Sequence, residues 1–310
     1  MGGYSRRLSR NVLIVALLGV TLGCLYFIAI DLHDPRFSFA QQQNVVSGAA
    51  GSPYRYRVLV PFLLEGGRTL FGFVGSPQAA FLMASFVYDV LGLTFQFVVL
   101  YIWFQEFFPE NQALLGLTYT SGLTVLTLAY FTFQPWSILE VALFGLGFLL
   151  AYRGHWGWVG VVVVIAAFNR ETGVFLPLAL FLANLPRRRR ETYIAFAYLV
   201  VSTVIFGGLR VVRGSADSVD ALPDVVARNL DRNNLIAAAR GLSLFLGVGW
   251  LYAIFGYRRS PEFVRRLARV VPFYLLAFAI WGWWREVRIL TSLYPIVIPL
   301  ALAYLSFETG

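Results

Sequence analysis

From Asn11 to Ile30 the chain carries no charged residue, and a run of that length constrains its fold more than any other feature. Crossing ~30 Å of hydrocarbon takes about 20 apolar residues at ~1.5 Å each. Similar runs recur along all 310 residues, separated by short polar stretches. Hydrophobic residues make up 58% of the chain and charged ones only 13%. Soluble domains carry roughly a quarter charged residues, so an ordinary soluble domain is excluded. The expected class is all-α: a polytopic transmembrane bundle of about ten helices, one domain over 1–310.

All 25 basic residues are Arg, and the net charge is +9. No Arg-rich soluble arm or aromatic-basic face accompanies that charge, so nucleic acid is excluded as a partner. Cys24 is the single cysteine, which rules out a disulfide framework or thiolate metal site. His33 and His155 are the only histidines and argue against a His-based metal cluster. The N-terminal apolar run is long and lacks an A-x-A-like end, so it reads as a retained signal anchor.

Cytoplasmic loops are rich in Arg, and that rule orients the chain. Arg6, Arg7 and Arg10 put the N-terminus inside. Helix one (about 12–30) exits, and a long outer loop (31–78) carries a short interfacial helix around FAQQQNVVSGAAG. Helices two (79–104), three (112–131) and four (137–152) follow. The stretch from Trp156 to Arg190 is ambiguous. As one helix it would put Arg187, Arg188, Arg189 and Arg190 outside and bury Arg170 and Glu171 at the bilayer centre, at several kcal/mol. As two short helices turning at Asn169-Arg170-Glu171-Thr172, it keeps the Arg run inside; the hairpin is the expectation. Helix seven (192–209) leads to a polar outer loop. Helix eight (235–256) returns to Arg258, Arg259, Arg265, Arg266 and Arg269. Helix nine (268–283) exits to Arg285-Glu286-Val287-Arg288, and helix ten (289–306) ends inside. Both termini are expected in the cytoplasm, at a bacterial or archaeal plasma membrane. The inner Arg groups read as orientation signals and contacts for anionic membrane lipids.

This topology collects Asp31, Asp34, Arg55, Arg57, Glu140, Arg170, Glu171, Glu286 and Arg288 on the outer face. An Asp can activate a hydroxyl, and Arg grips phosphate in a bidentate fork. Four segments carry a family resemblance. DLHDPRFSFAQQQNVVSGAAG with YRYRVLVP is similar to the acidic first outer loop of aminoarabinose and O-mannosyl transferases, with Asp34-Pro35-Arg36-Phe37 in the place of the Asp and Arg-aromatic pair. Pro35 stands where a Glu is common. FQPWSILEVAL resembles the P-x-x-x-E-x-L helix start of membrane mannosyltransferases. AAFNRETGVFLPLALFL is similar to the family's short helix, basic residue, short helix segment, with Arg170 for the usual Lys. REVRILTSLYPIVIP resembles E-x-R-Y-L-L-P-x-x-P, with Ile289 replacing the aromatic.

The chain thus resembles the GT-C superfamily, integral-membrane glycosyltransferases that use lipid-phosphate-linked sugars. The resemblance implies a polyprenyl-phosphate sugar as donor, with a glycan, lipid or protein as acceptor. It implies Asp34 or Asp31 as catalytic base or metal-associated acid, with a divalent metal as a possible cofactor. It implies Arg55, Arg57, Arg170 and Arg288, with Glu140, Glu171 and Glu286, around the donor phosphate. Each residue also has a structural reading: Asp31 or Asp34 as a helix cap, Glu140 at a helix N-terminus, Arg170 in a salt bridge, Arg288 snorkelling to the interface. Asp89, inside helix two, tunes the site or pairs with Arg240. Trp281, Trp283 and Trp284 fit an interfacial belt or a sugar-stacking platform. The rival classes are a transporter or lipid flippase using the same charges, and a non-catalytic subunit of a membrane complex.

Overall fold

A computed structural model describes residues 2–127, 133–185, 189–214, 222–284 and 286–308. It is 87% helical, with no strand among the described residues. Helices are what a mostly apolar chain needs, because they satisfy every backbone group internally where no water is available.

Helix α1 (Gly2–Ile30) starts earlier than the apolar run: Arg6, Arg7 and Arg10 lie in it, Arg being a good helix former. The expected interfacial helix is α2 (Pro35–Ser47). Asp34 caps it by accepting from the Phe37 N–H at 3.0 Å, Pro35 opens the first turn, and Gly48 closes it at φ 78°. A second short helix, α3 (Leu59–Leu70), was not expected. Pro61 is tolerated in its first turn, and Val60, Pro61 and Leu64 turn inward. Next come α4 (Pro77–Gln105), capped by Ser76, and α5 (Glu110–Thr127). The expected end of helix three, 128–131, lies outside the described residues.

Helix α6 (Trp136–Tyr152) leads to α7 (Trp156–Asn169), a 3-10 turn at Glu171–Val174, and α8 (Phe175–Asn184). Both flank the first half of α9 (Arg189–Arg213). Tyr198 donates to the Trp156 carbonyl at 2.7 Å, and Thr192 donates to the Asn184 carbonyl at 3.1 Å. The start of α7 and the end of α8 therefore share one level, with Arg170 at the far end: the segment is a hairpin, as the charges demanded. Gly173 permits the tight reversal, because a Cβ there would run into the Ala166 carbonyl.

The C-terminal third departs from the sequence reading. The polar loop contains a helix, α10 (Leu222–Leu230). Helix eight is not continuous: α11 (Arg232–Leu246) and α12 (Gly249–Gly256) meet at a 58° bend, where Gly247 takes φ 52°. Short α13 (Glu262–Leu267) precedes α14 (Val271–Trp281). The predicted tenth helix begins as a 3-10 segment, Val287–Leu293, and turns into α15 (Tyr294–Glu308) only at Tyr294. Pro295 lacks the N–H that would extend an α-helix backwards, and Thr291 bonds the Arg288 carbonyl at 2.7 Å instead.

Among the described residues, 11–30, 77–105, 189–213 and 287–306 are long and apolar enough to cross a membrane, and the bent 232–259 pair makes a fifth. Helices α6, α7 and α8 are apolar but shorter. Helices α1 and α4 pack closely along much of their length. A Cβ on Gly19 would lie 2.5 Å from Thr94 Cα, and one on Gly23 2.5 Å from Val90 Cα. Polar side chains gather at both ends. At one end Arg153 pairs with Glu106, and Arg269 donates to the Leu182 and Leu185 carbonyls. The other end holds the candidate site.

Candidate functional site

Four segments meet at that end. They are the 3-10 turn Tyr54–Tyr56, the start of α6, the α7–α8 turn, and the segment from Glu286 into the 3-10 run. The Val58 N–H donates to the Phe168 carbonyl at 3.2 Å, which ties the first segment to the hairpin. Arg170 breaks the helix in extended conformation (φ −162°, ψ 152°), so its side chain leaves the helical register and turns into the bundle.

Arg57 is buried and holds Glu171 with two donors, Nε to Oε2 at 3.0 Å and Nη2 to Oε1. Its guanidinium lies 4.9 Å from the Tyr54 ring centre and 5.0 Å from that of Trp136. Arg170, equally buried, donates through Nη1 to Glu140 at 3.1 Å and Ser137 at 3.3 Å. Its Nε stands 3.6 Å from Glu171. Thr172 donates to the other Glu140 oxygen. Glu286 accepts from Tyr54 at 3.1 Å and from Gln134 at 2.7 Å. Burial pushes the Glu171 carboxyl up, but Arg57 and Arg170 outweigh it and hold the group below the usual carboxylate range. Burial, reinforced by Glu286, raises the Tyr54 phenol to about 12.

The network leaves donors unused. Arg57 Nη1, Arg170 Nη2 and Trp136 Nε1 are buried and have no hydrogen-bond partner. An unmet buried donor costs roughly 1–3 kcal/mol, more when charged. Three such donors in one cluster form a place where an anionic ligand would be held.

Arg288 sits beside this network. It lines a cavity of about 30 Å³ with Tyr26, Gln96, Thr124, Ser137 and Thr291, enough for one or two waters. Tyr26 reaches the Gln134 carbonyl at 3.5 Å, the long limit for a hydrogen bond, and so adjoins the Glu286 partner. Asp31, 2% exposed, closes α1 and lies beside Ser38 and Asp89. Burial pushes its carboxyl up to about 6.

Of the nine residues singled out in the sequence, Arg57, Glu140, Arg170, Glu171 and Glu286 form one network. Arg288 adjoins it, and Asp31 is linked to it through Tyr26, on which both Arg288 and Asp31 act. Asp34 and Arg55 stand apart. The Asp34 carboxyl is exposed and engaged in capping α2. Arg55 donates to the Ala50 carbonyl at 3.0 Å and the Arg213 carbonyl at 3.5 Å, bracing two loops. Asp89 does not meet Arg240, which is exposed on α11; it meets Asp31. Arg285 lies outside the described residues, and Trp281 is exposed, as a belt residue would be. Tyr54, Gln134, Trp136 and Thr172 were missed, although they lie within or beside the YRYR, FQPWS and NRET motifs.

Among the described residues, no group of three or more His, Cys, Asp or Glu is placed to hold a metal ion. The unused groups of the Arg57, Arg170 and Trp136 cluster are N–H donors, which do not fit a divalent metal. No protein-family model, curated protein or solved structure matches this chain.

Proposed function

We propose that this chain is a GT-C-like membrane glycosyltransferase, a bundle of about ten membrane-embedded helices with both termini in the cytoplasm. It moves a sugar from a polyprenyl-phosphate donor to an acceptor hydroxyl at the outer end of the bundle. The observation that carries the reading is the buried cluster of Arg57, Arg170 and Trp136, each with a donor still to be used, beside Arg288, with a buried Asp31 across Tyr26. A departing lipid phosphate gains negative charge, and fixed donors aimed at developing charge need no reorganisation as the bond breaks. Glu140 and Glu171 hold the two guanidinium groups in place, and Glu286 fixes Tyr54 against Arg57.

The base is assigned to Asp31. The Asp34 carboxyl serves the helix cap, whereas Asp31 keeps one carboxyl oxygen without a hydrogen bond. Arg55 supports the loop. A lipid donor suits that place: the end of α9 nearest the cluster leaves Val211 and Val212 exposed, and Val204 lies exposed along the same helix.

The test is transfer from a purified polyprenyl-phosphate hexose to added acceptors by the full chain in vesicles. Asp31→Asn is expected to lower the rate about 10²–10⁴-fold, the usual range for a general base. Arg57→Lys, which keeps the charge but loses the fork, is expected to weaken donor binding. Full activity in Asp31→Asn, or translocation of the donor without a covalent product, would overturn the assignment.

A further inference from the structure

The site so far leaves one buried acid without a task. Asp89 lies well inside α4 and is 1% exposed, as buried as the aliphatic side chains around it. Its carboxyl lies against that of Asp31, from the end of α1. These two helices are drawn together by Gly19 and Gly23.

Two ionised carboxylates have no donor between them, so a buried pair of them is relieved by a shared proton. Like charges this close do not both ionise in a dry site. Neither carboxyl has an ion-pair partner among the described residues, and a lone buried carboxylate is costly. A second, independent feature marks the place as unfinished. Asp31 Oδ1, Asp89 Oδ2 and Ser85 Oγ, one turn before Asp89, are all buried without a hydrogen-bond partner. The other groups around the pair are Tyr26 on α1, Tyr88 on α4, Ser38 on α2, and Arg288, which acts on Tyr26 from across the cavity. Neither tyrosine supplies a base at neutral pH.

We propose that Asp31 and Asp89 form a proton-sharing acid pair in which Asp89 is the positioning residue: it keeps one proton on the pair and leaves Asp31 to take a second from the acceptor. The deeper group holds the resident proton because its ionised form loses more hydration. Donating that proton to Asp31, it aims the Asp31 carboxylate. This deepens the transfer reading and rests on it for the catalytic step. In that step the acceptor O–H bond breaks and its oxygen bonds the sugar's anomeric carbon. The bond from that carbon to the phosphate oxygen breaks, and its electron pair leaves with the lipid phosphate. The acceptor proton goes to Asp31, taking the pair from one proton to two, and its release to water restores the starting state. Two carboxyls without a third ligand suit a proton rather than a metal ion.

Infrared difference spectroscopy of the full chain in phosphatidylcholine–phosphatidylglycerol vesicles, titrated with acid, tests the pair without any substrate. The wild type is expected to keep one protonated-carboxyl band above neutral pH and to gain a second as pH falls through about 6. Asp89→Asn should abolish the first band. Asp31→Asn should shift the first band and abolish the second. A wild type with no protonated carboxyl above neutral pH overturns the pair, as does a band indifferent to Asp89→Asn. A band that appears only on adding a chelator also overturns it, in favour of a bound cation. Transfer against pH reads the positioning role. Asp89→Asn retains a donor and an acid limb near the wild-type pH, whereas Asp89→Ala loses the donor and moves that limb upward; coincident profiles for all three overturn the role. If the infrared result holds while the wild type transfers no sugar, the pair stands and the transfer reading falls.

Discussion

Arg170 is as fully buried as any aliphatic side chain in the bundle, and it keeps its charge there through Glu140 and Glu171. Removing one partner of a buried pair leaves the other charge uncompensated, which costs about 3–5 kcal/mol. Arg170→Ala is therefore expected to lower the thermal midpoint sharply in detergent, and adding Glu140→Gln should recover part of the loss. A single variant as stable as the wild type would mean that the pair contributes little. Residues of this kind were legible in the sequence, because a charge inside an apolar run is rare and must be accounted for. Tyr54 and Trp136 were not. With 16 Tyr, 28 Phe and 8 Trp in the chain, nothing in composition distinguishes the aromatic that stacks on a guanidinium from those that fill the core. Asp34 and Asp31 could not be told apart for a related reason: a cap and a base present the same residue at a helix start, and only burial separates them.

Helices α1 and α4 approach so closely that their contact has no room for a side chain at Gly19 or Gly23. Gly23→Val should force the pair apart and cost about 1–3 kcal/mol, as overpacking does. Gly66→Ala in α3 meets open space and should gain about 0.5–1 kcal/mol from the lower helix propensity of Gly. Thermal unfolding of the two variants side by side is the measurement, and equal midpoints would sink the close-packing argument. Long helices were legible from uninterrupted apolar runs, and the α7–α8 hairpin from the conflict between one span and the Arg run that follows it. Helix α3 and the break at Gly247 were not. The first is short, with two glycines and a proline, and the second is one Gly-Val-Gly within a run that reads as continuous. Tertiary packing decides such places.

At the scale of the whole molecule the bundle has two chemically different ends. One holds Arg153, Arg269 and their neighbours, and the other holds the buried ion-pair network. Gly51 and His155, both exposed, mark those ends. In a Cys24→Ser background, Gly51→Cys should react with a membrane-impermeant thiol reagent on intact cells, while His155→Cys reacts only after lysis. Labelling of both from the same side would refute the orientation. The ion-pair network also carries an order of assembly. Arg170 reaches Glu140 across 30 residues, Arg57 reaches Glu171 across 114, and Tyr54 reaches Glu286 across 232. A chain made from its N-terminus can close the first two links as soon as the hairpin has left the ribosome. The third waits for the last helix, so a nascent protein halted before Glu286 would hold its two buried arginines in register while Tyr54 still lacked its carboxylate.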